Sequence, residues 1–121
     1  MTDCPFCQKI AAGGDSYGPV HDTAMAFVKR FAPLNPVASG HTLFVPVAHY
    51  ERADDGSHAT ADAFDAAIRY AEKEGLGAYN LIQSNGTSAT QTVPHVHVHL
   101  VPRLEGDGLA LPWTDQQKEP R

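Results

Sequence analysis

At 121 residues the chain has the length of one domain, enough to bury about two thirds of the surface its unfolded form exposes. Its 42% hydrophobic and 19% charged residues suit an ordinary globular protein, and no apolar run approaches the roughly 20 residues that cross a bilayer. The net charge of −5, without any basic block, argues against a nucleic-acid polymer as partner, because such polymers are held mainly through neutralised phosphates.

The opening Met1-Thr2-Asp3-Cys4-Pro5 lacks the basic start and apolar stretch of a signal peptide, so the expected compartment is the cytoplasm. Residues Pro5–Ala12 suit a short helix ended by Gly13-Gly14. A strand is expected over residues 24–29, leading into Ala32-Pro33-Leu34-Asn35-Pro36, where two prolines forbid regular structure. Thr42-Leu43-Phe44-Val45 has the pattern of a buried strand stopped by Pro46. From 58 to 74 the period becomes helical, with Ala61, Phe64, Ala67, Ile68 and Ala71 on one face. A strand over residues 79–83 and a polar loop over 84–90 follow. The last strand is expected over 93–101, ending at Pro102, and the tail from about 114 is expected to be mobile. Strand, helix and strands in this succession predict an antiparallel α+β domain.

Two features carry chemistry. His95, His97 and His99 alternate, so a strand would place them on one face, about 6.5 to 7 Å apart, with Val96, Val98 and Leu100 entering the core. Three imidazoles so arranged can surround a phosphate-sized group or bind metal. The neighbouring Gln91, Thr92 and Arg103 offer amide, hydroxyl and guanidinium groups that suit phosphate oxygens better than a hydrolytic metal centre. The second feature is Cys4-Pro5-Phe6-Cys7, which holds both of the chain's cysteines. In a reducing compartment this spacing directs attention to metal or redox chemistry rather than a structural disulfide.

The run Gln91-Thr92-Val93-Pro94-His95-Val96-His97-Val98-His99-Leu100-Val101-Pro102-Arg103 resembles the signature of the histidine triad (HIT) family. Gly40-His41-Thr42-Leu43-Phe44-Val45-Pro46 resembles that family's other landmark, and the opening Cys-x-x-Cys resembles bacterial members. The likeness spans residues 4–104. It implies one HIT-like α+β domain over 1–121, an antiparallel sheet of about five strands, one main helix and a short N-terminal helix. It also implies a purine-nucleotide substrate and a two-fold homodimer whose C-terminal segment completes the site.

The resemblance carries roles as well. His97 matches the nucleophile that attacks the α-phosphorus of a nucleotide to give a nucleotidyl-histidine, which water then hydrolyses. The substrates implied are dinucleoside polyphosphates or nucleoside phosphoramidates, with diadenosine polyphosphates expected to give adenosine monophosphate and adenosine phosphoramidates to be cleaved as well. His99 and Thr92 match positions that bind the phosphate or leaving group, and Gln91 matches a family glutamine beside them. Ser84 stands where many relatives carry Asn or Gln, so its neighbours Asn85 and Gln83 are candidates to supply the amide. Thr90 stands where glycine is usual. Pro33 stands at the ribose-binding position, which leaves Asn35 as the replacement candidate, and His41 is expected near the site or bracing its strand. Cys4, Cys7, His49 and His95 match a Cys2His2 zinc site of some bacterial relatives; His95 is also a catalytic candidate as a general acid, a role that bound metal would deny it. Two readings remain beside the enzyme: a non-catalytic nucleotide-binding module, and a glutaredoxin-like thiol-disulfide oxidoreductase. The second requires a strand before Cys4, for which only three residues are present.

Overall fold

The computed structural model describes residues 3–112 and 114; Trp113 and the expected tail past 114 lie outside the described residues. The first helix, α1 (Pro5–Ala12), has the expected bounds for identifiable reasons. Cys4 caps it by accepting the Cys7 N–H on Sγ at 3.5 Å, Pro5 starts it without needing a donor, and Gly13 ends it at a φ of 76°. A hairpin of two-residue strands follows, β1 (Gly14–Asp15) and β2 (Gly18–Pro19), too short for any sequence period to reveal. It is tied back to α1 by Lys9, which is buried with Nζ 3.1 Å from Asp15 and 4.9 Å from the centre of the Phe31 ring.

The main sheet has five antiparallel strands, β3 (His21–Asp22), β4 (Val28–Phe31), β5 (Thr42–Pro46), β6 (Ala78–Ile82) and β7 (Val98–Arg103), in the spatial order β3-β4-β5-β7-β6. The strand expected over 24–29 is displaced to Val28–Phe31, because the Thr23 hydroxyl bonds the carbonyls of Met25 and Val28 and holds the preceding residues in a turn. The histidine strand is displaced too. It begins at Val98 rather than 93 and continues through Pro102, which pairs with Tyr79, to Arg103. His95 and His97 therefore precede the ladder.

The long helix α2 (Ser57–Lys73) matches the expected helix, but its inward face is rotated. Thr60, Ala63, Ala66, Ala67 and Ala71 are buried, whereas Ala61 and Ile68 face outward, the latter 47% exposed. Small alanines allow the helix backbone to approach the sheet closely, and Phe64 and Tyr70 pack along its flanks. Val28, Phe44, Val98 and Leu100 supply the sheet's side of this core. On the opposite face Phe31, Leu43 and Val45 pack against Phe6, Ile10 and Val20, so α1 covers one side of the sheet and α2 the other. His99 pairs directly with Leu43, and cross-strand partners share a face. It therefore lies on the α1 side. Among the described residues no helix is long and apolar enough to cross a membrane.

Candidate functional site

The segment entering β7 is strapped to the chain some forty residues upstream. The Gln91 side chain accepts the Gly86 N–H at 2.7 Å and donates to the carbonyls of Glu51 and Val93, at 2.6 and 3.1 Å. The Val96 N–H reaches the Tyr50 carbonyl at 2.7 Å, and the His95 N–H reaches the Val93 carbonyl at 2.8 Å. These bonds replace a strand ladder over 91–97 and let His95 and His97 take different directions.

His95 is fully buried. Its Nε2–H donates to the Pro46 carbonyl at 2.8 Å, which leaves the Nδ1 lone pair facing Cys4 Sγ at 3.5 Å, Cys7 Sγ at 3.6 Å and His49 Nδ1 at 3.1 Å. Cys7 Sγ is in turn 3.5 Å from His49 Nδ1. These four ligand atoms all lie within 4.8 Å of one another and could hold a metal ion. Burial and the adjacent Cys4 raise the Cys7 thiol, so a bound cation is what would ionise it.

His97 is 6% exposed and bonded through Nδ1 to the His95 carbonyl at 2.7 Å. A carbonyl only accepts, so the His97 proton sits on Nδ1 and Nε2 carries a lone pair. Burial pushes this imidazole below its ordinary value, against the opposing pull of that carbonyl, which keeps the ring neutral near pH 7.

His99 belongs to a second chain of bonds. The Val37 N–H donates to His41 Nδ1 at 3.1 Å, so a neutral His41 holds its proton on Nε2 and donates it to His99 Nδ1 at 3.0 Å. The His99 proton is thereby assigned to Nε2. Burial, and then His97 and His41, bring the His99 value down to about 4. The His97 and His99 rings lie 5.0 Å apart centre to centre, although only His99 is on the ladder. His95 has left their company for the cysteines.

The remaining expected residues divide. Thr92 is exposed beside the straps. Asn35 is exposed on the loop that delivers Val37 to His41, and Ser84 is half-buried at the start of the polar loop. Asn85 accepts from the Ala53 N–H at 2.8 Å and exchanges amide bonds with Gln83, so it laces the polar loop to the segment following Arg52. Thr90 is held at a φ of 67°, the left-handed region that favours glycine, which makes it a strained stand-in for the expected glycine. Arg103 is bonded away from the histidines. Its guanidinium binds Asp107, Asn80 and the Leu109 carbonyl, four residues along β7 from His99. One contact is absent from the sequence reasoning: Phe6, between the two cysteines, packs nearly perpendicular to His97 at 5.1 Å. Its position inside the Cys-x-x-Cys was the available signal.

Residues 21–106 match the model of the HIT domain. The chain belongs to the HIT family. An uncharacterized HIT-like protein of Methanocaldococcus jannaschii is 38% identical over 109 residues, covering 87% of this chain and 82% of its own. The adenosine 5'-monophosphoramidase of Saccharomyces cerevisiae is 35% identical, over 96% of this chain and 73% of its own. Among solved structures, a HIT family hydrolase from Clostridium thermocellum superposes with a TM-score of 0.75 at 27% identity, covering 92% of this chain and 99% of that one. The HIT architecture explains why the glutaredoxin reading fails. Cys4 does open a helix, but both sulfurs face histidines.

Proposed function

We propose that this HIT protein is a nucleotide hydrolase or nucleotidyl transferase that acts at the α-phosphate through a nucleotidyl-histidine on His97. The observation that carries this reading is the 2.7 Å bond from His97 Nδ1 to the His95 carbonyl, which leaves Nε2 as a neutral, unprotonated nucleophile. In the first step Nε2 forms a bond to phosphorus while the bond to the leaving group breaks. The imidazole becomes cationic, with its Nδ1 proton still held by the carbonyl. Water then attacks the same phosphorus, the P–N bond breaks, and nucleoside monophosphate leaves with His97 neutral again; the proton this water loses to solvent balances the one the leaving group took from solvent in the first step.

His99 Nε2–H supplies a donor to a phosphate oxygen, and His41 fixes its tautomer from behind. Thr92 and Ser84 supply hydroxyls on the leaving-group side. Nucleoside phosphoramidates are favoured over dinucleoside polyphosphates. Relatives from Saccharomyces cerevisiae and Schizosaccharomyces pombe, 35% and 31% identical, are adenosine 5'-monophosphoramidases. A polyphosphate would also lack Arg103, which is engaged by Asp107.

Zinc is the ion proposed for Cys4, Cys7, His49 and His95. With bonds of about 2.3 Å to sulfur and 2.0 to 2.1 Å to nitrogen, a tetrahedron has S···N edges of about 3.6 Å and an N···N edge of about 3.3 Å. Four of the six edges here are 3.5, 3.5, 3.6 and 3.1 Å, and all six lie within 4.8 Å. A closed site of this kind fastens α1 and His95 to the sheet. A homodimer is proposed as well, supported by the outer edge of β6 and by Ile68 exposed on α2.

The test of the function is chemical. Protein quenched during turnover of an adenosine phosphoramidate labelled in the adenosine should yield an adenylylated peptide containing His97. Labelling at another residue, or turnover without label, would refute the assignment.

A further inference from the structure

His97 is reached from the N-terminal segment by two routes that converge on one imidazole. Its Nδ1 bonds the His95 carbonyl, while the His95 ring faces the two cysteine sulfurs. The residue between those cysteines, Phe6, lies 5.1 Å from the His97 ring at an interplanar angle of 88° and 5.9 Å from the His95 ring at 68°. Phe6 is itself backed by Phe31, whose ring is 5.3 Å away on β4.

A single hydrogen bond at Nδ1 restrains an imidazole only weakly, because the ring can still tilt about that contact. A second restraint on the ring plane removes the tilt, and in-line attack on phosphorus needs that plane held. From this geometry we propose that Phe6 is a positioning residue for His97. The Cys4–Cys7 turn is pinned at both ends by the Cys/His cluster and presents the aromatic ring to the nucleophile. This explains why a short N-terminal segment, far in sequence from the triad, is built against it: α1 and its Cys4 cap carry both the Phe6 ring and the two sulfurs that fix it. The inference rests on His97 as nucleophile, although the contact itself does not.

The experiment compares Phe6→Leu with Ile10→Ala. Ile10 packs in the same cluster with Phe31, Leu43 and Val45 and so reports general softening of that layer. Both variants keep Cys4, Cys7, His49 and His95, so metal content measured by elemental analysis should equal that of the wild type. For Phe6→Leu the expected result is a fall in kcat of about 3- to 10-fold, the range for losing one aromatic pair, with KM within about twofold. Ile10→Ala should lower the melting temperature and leave kcat unchanged. Long-range 1H–15N spectra should show His97 as the Nδ1–H tautomer in the wild type and a mixture of tautomers in Phe6→Leu. If Phe6→Leu does not fold, Phe6→Met conserves most of the volume without the ring and carries the same test.

Wild-type kcat in a folded Phe6 variant, or a fall no larger than that of Ile10→Ala, overturns the proposal. If no label is found on His97 even in the wild type, the proposed function fails by itself. The imidazole spectrum then decides the positioning role, which stands if the tautomers mix and falls if they do not.

Discussion

Replacing Gln91 separates a structural brace from a substrate ligand. Both amide hydrogens of Gln91 are committed, to Glu51 and Val93, and its oxygen holds the Gly86 N–H. No hydrogen is left for a phosphate, and the remaining oxygen lone pair would repel one. Gln91→Ala therefore loses three hydrogen bonds at a side chain only 7% exposed and leaves the Gly86 N–H and Glu51 carbonyl without partners. At about 1 kcal/mol net per bond, the cost is about 3 kcal/mol. For a chain of this length that lowers the melting temperature by roughly 10 to 15 °C. Thermal unfolding followed by circular dichroism measures it, alongside kcat and KM for an adenosine phosphoramidate at a temperature where both proteins are folded. Gln91→Glu should destabilise as well, because a carboxylate keeps the Gly86 contact but offers no hydrogens to two carbonyls. A melting temperature within about 2 °C of wild type, combined with a KM raised tenfold, would refute the reasoning and return Gln91 to the phosphate.

Other predictions follow from the same geometry. His97→Ala should abolish turnover with an unchanged circular dichroism spectrum; activity equal to wild type would end the enzyme reading. Purified protein never exposed to chelator should hold about one zinc per chain, and Cys7→Ser should lose metal and thermal stability together, because binding free energy is folding free energy here. Acid should weaken the fold early. His41, His95, His97 and His99 all have imidazoles depressed by burial, so the unfolded chain takes up protons that the folded chain refuses. Stability is complete above about pH 6.5 and falls towards about pH 4, the value to which His99 is lowered. A urea midpoint that stays constant from pH 7.5 to 5 would contradict this. Light scattering should report a mass near twice the 13.0 kDa of the chain, and a monomer at micromolar concentration would remove the dimer proposal.

What the sequence by itself determined is the part governed by local pattern. The closing glycine of α1, the apolar run of β5 and the helical period of α2 can each be derived from residues a few positions apart. The HIT resemblance likewise lay in short runs of residues, 4–7, 40–46 and 91–103, and it supplied the Cys/His set that the fold brings together. Tertiary structure alone decided which way each site residue faces. Alternation placed three histidines on one face, yet His95 turned to the cysteines because its segment is held by Tyr50 and Gln91 rather than by a ladder. The α2 face rotated from the large residues to the alanines, because close approach to Phe44 and Leu100 favours small side chains over the count of apolar ones. Gln91 and Asn85 became braces, and Arg103 became a tether for the segment after β7, since each found a partner there. Those partners lie up to forty residues away, or in a turn without a period. A hydrogen bond is directional and short, so it is settled by where remote backbone groups arrive, and no periodicity in the chain records that.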